Sequence, residues 1–198
     1  MFDHALAENP NEACGVILGK TLFQQIKDLC VNKFSLEKDN ILFSSSFNHD
    51  LNLNHDDIRN ILTDLSGIHT EIPTEDIKTI KEATEFLAYQ GGNEIAKSII
   101  PITNTVKSPY RYQMDPQEFL DADKKAGRLD LSIVAFYHSH THTPAYPSET
   151  DVRLAVESGW IDPYFVLISL ENNLSPDLKM YRISLDGSIT EQKYSLLN

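Results

Sequence analysis

Seven histidines are scattered through the 198 residues, but two stand one residue apart at the end of an apolar run, opening the stretch HSHTHTPAYPSETD from His138 to Asp151. In an extended strand alternate side chains share a face, so His138 and His140 point the same way and their imidazoles can converge on one ion. The chain must then turn back to bring a third donor. The Pro-containing THTPAYP does this and leads into a helical pattern, SETDVRLAVES, with Ser148 at the N-cap, Asp151 third in the helix and Gly159 at the stop. Exposed N–H groups and the dipole of a first helical turn favour a carboxylate, which keeps Asp151 ionised and ready for a cation. Two imidazoles and one carboxylate leave a fourth tetrahedral position open, the pattern of a catalytic rather than a structural zinc site. Zinc lowers the pKa of a bound water to about 7, making a nucleophile near neutrality. A carboxylate should take that proton and pass it to a leaving amine, yet spacing alone does not choose among 13 glutamates. His142 is a rival ligand, since a strand continued by two residues would align three imidazoles. Pro144 and its turn-prone neighbours argue that the strand ends first.

The elements that position these residues follow from the hydrophobic pattern. FDHALAENP reads as a short helix ended by Pro10, and ACGVILG as a buried strand, with Glu12 at their junction. LSIVAFYHSH is a nearly continuous apolar run, expected of a strand covered on both faces. EIAKSIIPITN is a further strand. MDPQEFLDADKKAG is a helix with Asp115 as N-cap, Pro116 first, Glu118 completing a capping box and Gly127 ending it. Three more strands follow in YFVLISL, LKMYRIS and SITEQKYS, the last two joined by a tight Asp186-Gly187 turn. Between residues 23 and 92 the chain is more polar, and its two amphipathic helices read as an insertion. One has Ile58, Ile61, Leu62 and Leu65 on a face and stops at Gly67; the other starts at Thr74 and stops at Gly91-Gly92. DLNLNHDD places Asp50, Asn52 and Asn54 as in a calcium loop, but His55 and Ile61 stand where Gly and Glu belong. The expectation is therefore an Asx-rich turn capping the next helix. The fold class is α/β (α+β), a mixed β-sheet flanked by helices, in a single domain over 1–198 with a mainly helical subdomain inserted at 23–92.

A net charge of −12 and a pI near 4.9 repel phosphate backbones and anionic lipid, so neither nucleic acid nor a membrane surface is an expected partner. No stretch approaches the ~18 apolar residues of a membrane span, and the first residues lack the pattern of a secretion signal. Cys14 and Cys30 are read as small buried apolar residues in a reducing compartment, which suits the cytoplasm.

The pattern of HSH, seven residues, Ser, two residues and Asp resembles that of the JAMM (MPN-plus) metalloproteases, and PNEACGVILG is similar to the family's N-terminal Glu segment. IIPITNT, YRYQMDPQEFLDADKKA and PSETDVRLA extend the similarity, whose nearest flavour is the small bacterial and tailed-phage branch. The resemblance implies a JAMM/MPN-like core, related to that of cytidine deaminases. It implies Zn2+ held by His138, His140 and Asp151, Glu12 as general base, and Ser148 as hydrogen-bond donor to the oxyanion, although Ser148 reads equally as a plain helix cap. It further implies an isopeptidase or peptidase cutting an amide next to the C-terminus of a ubiquitin-like or sulfur-carrier partner. The alternative is a mainly structural module such as a phage tail-tip or tail-assembly component, in the host cytoplasm or the virion. Two features depart from the family. Thr141 replaces the Pro that usually follows the second ligand, with His142 beyond it, and the 23–92 segment lies where compact relatives have a short connection. Little sequence follows the metal-binding helix, so a second ubiquitin-gripping insertion is not expected. A zinc deaminase would need Pro-Cys-x-x-Cys and His-x-Glu, and a helical zinc protease HExxH; the chain has neither.

Overall fold

The computed structural model describes residues 1–67, 72–89 and 94–195. Its strands are β1 (Cys14–Lys20), β2 (Ile95–Ile102), β3 (Ser132–His140), β4 (Tyr164–Ser169), β5 (Asp177–Ile183) and β6 (Ile189–Gln192). Its α-helices are α1 (Phe2–Glu8), α2 (Leu22–Phe34), α3 (His55–Ser66), α4 (Ile80–Tyr89), α5 (Pro116–Arg128) and α6 (Glu149–Ser158). The chain forms two compact units, Met1–Gly19 with Ala96–Asn198, and Lys20–Ile95.

The first unit is built on a six-stranded sheet of order β2-β1-β3-β4-β5-β6. As the apolar run requires, β3 lies inside it, antiparallel to β1 with Cys14 opposite His138, and parallel to β4 with His140 opposite Ser169. A parallel neighbour needs a crossover connection, and the loop 141–148 with α6 supplies it. Burial drives the assembly. Val16, Leu18 and Ile102 pack with Ala122 and Ala126 of α5, while Ala155 of α6 packs with Phe165, Leu167, Tyr181 and Ile183. A third cluster joins Ala5 of α1 to Ile17, Tyr137 and Ile168. Only glycine fits at position 15. A Cβ there would lie 2.5 Å from Cε1 of Tyr137, which faces it across β1 and β3, and would also strike the Ile100 carbonyl. The β5–β6 turn has Gly187 at φ 80°, its N–H donating to Ser184 O at 2.8 Å, as the Asp-Gly pair predicts.

The second unit wraps α2, α3 and α4 around Ile26, Cys30, Phe47, Ile61, Leu62 and Leu87, all fully buried. Helix α3 stops at Gly67 in a left-handed conformation, and Asn54 caps its start by accepting from Asp56 N and Asp57 N, as expected for an Asx turn. Three expectations need correction. The second amphipathic helix starts not at Thr74 but at Ile80, because Thr79 and Glu82 form the reciprocal cap: Thr79 Oγ1 accepts from Glu82 N, and Glu82 Oε2 from Thr79 N. Its expected stop at Gly91-Gly92 lies outside the described residues. Helix α5 runs through Gly127 to Arg128, and Glu118 does not close a capping box; its carboxylate accepts from Thr103 N and Oγ1 instead. Helix α2 was not foreseen. It carries the capping box Thr21–Gln24 and buries Leu22, Ile26 and Cys30 along one face.

Candidate metal centre and active site

The end of β3 and the first turn of α6 meet. Nε2 of His138 lies 3.0 Å from Nε2 of His140, Asp151 Oδ1 is 3.4 Å from His138 Nε2, and Asp151 Oδ2 is 3.6 Å from His140 Nε2. All three side chains are buried, and they form the one potential metal-binding group of three among the described residues. A tetrahedral ion with bonds of ~2.0–2.1 Å separates its ligands by ~3.3–3.4 Å, so these spacings fit one zinc-sized ion. The orientation of His140 supports this. Its Nδ1 is 3.0 Å from the Pro144 carbonyl, which can only accept, so Nδ1 carries a proton, and in the neutral imidazole the lone pair is on Nε2, which faces the cluster. Between the histidines on β3, the Ser139 hydroxyl accepts the Ala13 N–H at 2.8 Å and locks β1 to the strand end.

Asp151 does two jobs. One oxygen, Oδ2, accepts from Ser148 N (2.8 Å) and Ser148 Oγ (2.7 Å), while Ser148 Oγ accepts from Asp151 N at 3.2 Å. This reciprocal cap starts α6 and holds the carboxylate toward the imidazoles. Burial opposes ionisation of Asp151, but the charge of His138, the close contacts with His138 and His140 and the hydrogen bonds from Ser148 outweigh it, holding the carboxyl well below the usual range. Burial likewise works against a charged His140, yet the Asp151 carboxylate 3.6 Å from its Nε2 and the hydrogen bond to the Pro144 carbonyl raise its pKa.

Glu12 is buried at 6 % exposure at the start of β1. Burial raises its pKa, and the positive potential of His138 and His140 pulls it partly back. With His140, Ser148 and Asp151 it lines a cavity of about 650 Å³. His142 lies past the end of β3 and is exposed, its ring 5.9 Å from that of Tyr110, outside the metal-binding group.

One group of residues escaped the sequence reading. The segment between β2 and α5 covers the cluster: Tyr112 stacks on His138 with ring centroids 4.4 Å apart, and burial pushes its phenol pKa up. The buried Asn104 organises this segment with all its hydrogen-bonding capacity. Its Nδ2 donates to the carbonyls of Glu12 (2.9 Å) and Arg111 (3.1 Å), and its Oδ1 accepts from Val106 N (3.1 Å) and Gln113 N (3.0 Å). Thr141 adds a tie to the same segment, its hydroxyl donating to Pro109 O at 2.8 Å.

A mixed sheet flanked by helices, with two histidines at a strand end and an aspartate at the next helix start, is the architecture seen here. The family described as prokaryotic homologs of the JAB domain matches residues 77–183, and the chain belongs to that family as a small prokaryotic JAMM member. It is 39% identical over 116 residues to the CysO-cysteine peptidase of Mycobacterium tuberculosis, covering 59% of this chain and 77% of that protein. It is 38% identical over 76 residues to the probable TtuB-protein conjugate cleaving protease of Thermus thermophilus, covering 38% of this chain and 49% of that protein. The desampylase of Pyrococcus furiosus is 39% identical over 52 residues, 26% of this chain and 37% of its own. The solution structure of protein DSY2949 from Desulfitobacterium hafniense has a similar fold, with a TM-score of 0.54 at 23% identity over 98% of this chain and 83% of that one. Among the described residues no helix is long and apolar enough to cross a membrane.

Proposed function

We propose that this chain is a zinc-dependent peptidase or isopeptidase that hydrolyses an amide next to the C-terminus of a ubiquitin-like or sulfur-carrier protein. The observation that carries this reading is the convergence of His138, His140 and Asp151 to within one ion's coordination distance, beside the buried carboxylate of Glu12. The three side chains would hold Zn2+, which when bound would polarise the substrate carbonyl and make a water acidic enough to attack near neutral pH. Glu12, its pKa raised by burial, is suited to take the water's proton and deliver it to the leaving amine. The hydroxyl of Ser148 now donates to Asp151; turned into the cavity that it lines, it would donate to the developing oxyanion. Residues 23–92 are read as a subdomain inserted in the catalytic domain, with a role in capturing the partner. Two buried free thiols suit a reducing cytoplasm. The relatives named above are cleaving enzymes, which weighs against a purely structural tail-assembly module.

Elemental analysis and hydrolysis of a carrier-protein fusion test this together. The wild type should carry one zinc, His138→Ala should lose it, and Glu12→Gln should keep it while activity falls by ~10²–10⁴. A zinc-loaded protein inert toward carrier amides, or a fully active Glu12→Gln, would overturn the reading.

A further inference from the structure

The three proposed ligands are held in place by unlike means. Asp151 is fixed by the Ser148 cap, and His140 by its Nδ1, which is 3.0 Å from both the Pro144 carbonyl and the Thr143 hydroxyl. Metal-binding imidazoles are ordinarily oriented in that second way, by a hydrogen bond at the nitrogen turned away from the ion. His138 has no such bond at Nδ1 among the described residues. Its neighbours across the sheet explain why. On β1 it faces Cys14, whose thiol donates to Ile102 O at 3.4 Å, and on β4 it faces Leu167, which is aliphatic.

His138 has a ring on its face instead. The Tyr112 ring lies with its centroid 4.4 Å from that of the imidazole and the planes inclined by 27°. The outer torsion of a histidine is broad and roughly two-fold, so a buried imidazole without a hydrogen bond can turn and carry Nε2 off the cluster. A flat neighbour opposes that turn, because the swinging ring edge would strike it. Tyr112 is itself held still. A bridge between Asn104 and Met114 brings the segment back on itself, and Asn104 bonds to the residues on both sides of Tyr112, donating to Arg111 O at 3.1 Å and accepting from Gln113 N at 3.0 Å. The Tyr112 hydroxyl makes no hydrogen bond among the described residues, so the contact is carried by the ring. We infer that Tyr112 is the positioning residue of His138, its stacked ring doing for this ligand what the Pro144 carbonyl does for His140. This rests on the metal centre proposed above.

Zinc affinity, measured by competition with a chromophoric chelator, tests the inference on full-length, metal-free wild type, Tyr112→Phe, Tyr112→Leu and Tyr110→Leu. The last removes a ring of the same segment that lies near His142, outside the metal-binding group. Tyr112→Leu should bind zinc about tenfold to a hundredfold more weakly, as loss of an outer partner of a metal ligand implies, while Tyr112→Phe and Tyr110→Leu keep the wild-type affinity. With excess Zn2+ every variant should still load one ion. In the Co2+-loaded proteins the visible bands should shift in Tyr112→Leu alone, a change that a loss of general stability does not produce. Should Tyr112→Leu fail to fold, proton NMR decides: the ring current of Tyr112 should displace the imidazole protons of His138, identified by their loss in His138→Ala, in both wild type and Tyr112→Phe. Unchanged zinc affinity in Tyr112→Leu, an equal loss in Tyr112→Phe, or undisplaced His138 protons overturns the inference and leaves the metal centre standing. A wild type that binds neither ion defeats the proposed function, and this inference with it.

Discussion

Asn104→Asp keeps the size of the side chain and removes both amide N–H groups. The carbonyls of Glu12 and Arg111, held at 2.9 and 3.1 Å, then face an anion, while Val106 N and Gln113 N keep their acceptor. An orphaned buried acceptor costs ~1–3 kcal/mol, so two sharing one partner are expected to cost about 3 kcal/mol in total. For a protein of this length each kcal/mol moves Tm by ~2–4 °C, giving a fall of about 9 °C. Circular dichroism melts measure that shift, and zinc content and kcat are read on the same preparation below its melting range. Zinc should stay, because His138, His140 and Asp151 are untouched, whereas kcat should drop more than tenfold as the backbone of Glu12 loses its fixed place. A Tm within a degree of wild type, with kcat unchanged, would refute the role given to Asn104.

Two further outcomes are expected. His142→Ala should leave one zinc per chain by elemental analysis, since its exposed ring rests near Tyr110 beyond the strand end; loss of metal would overturn the ligand assignment. Burial pushes the Cys30 thiol from 9.0 up to about 11. The folded state thus resists ionisation while the unfolded chain ionises, so stability is intact below pH 9 and is lost progressively between pH 9 and 11. The urea midpoint of wild type should fall between pH 8 and pH 10.5 by more than that of Cys30→Ala, and parallel declines would count against the assignment.

The convergence of His138, His140 and Asp151 was legible because its determinants are local. A period of two along an apolar strand aligns His138 with His140, and the Ser148 cap and Gly159 stop frame the helix that delivers Asp151. Glu12 could be named only through resemblance, since its approach depends on the pairing of β1 with β3, which leaves no mark in nearby residues. Asn104 and Tyr112 were illegible for the same reason: the bond from Asn104 to Glu12 spans 92 positions and ends on irregular backbone. Helix α2 was missed despite a readable signal in Thr21 and Gln24. Its end has no glycine, Ser35 taking the left-handed conformation at φ 55°, so the usual stop was absent. At α4 the spacing of Thr79 to Glu82 is a better cap than Thr74, which has Ile77 three residues on.

The proposed ion donors and the base reach the centre by routes of very different length. His138 through Asp151 is one short stretch, whereas the anchor beside Glu12, from Ala13 to Ser139, closes a loop of 126 positions. Chain statistics make the longer closure dearer by about 2 kcal/mol. If these residues hold an ion as proposed, the donors that lie close in sequence can meet at little entropic cost, whereas Glu12 arrives only with the pairing of β1 to β3. On the proposed function, occupancy of the centre and competence to cut would be separable, the second awaiting the seating of β1.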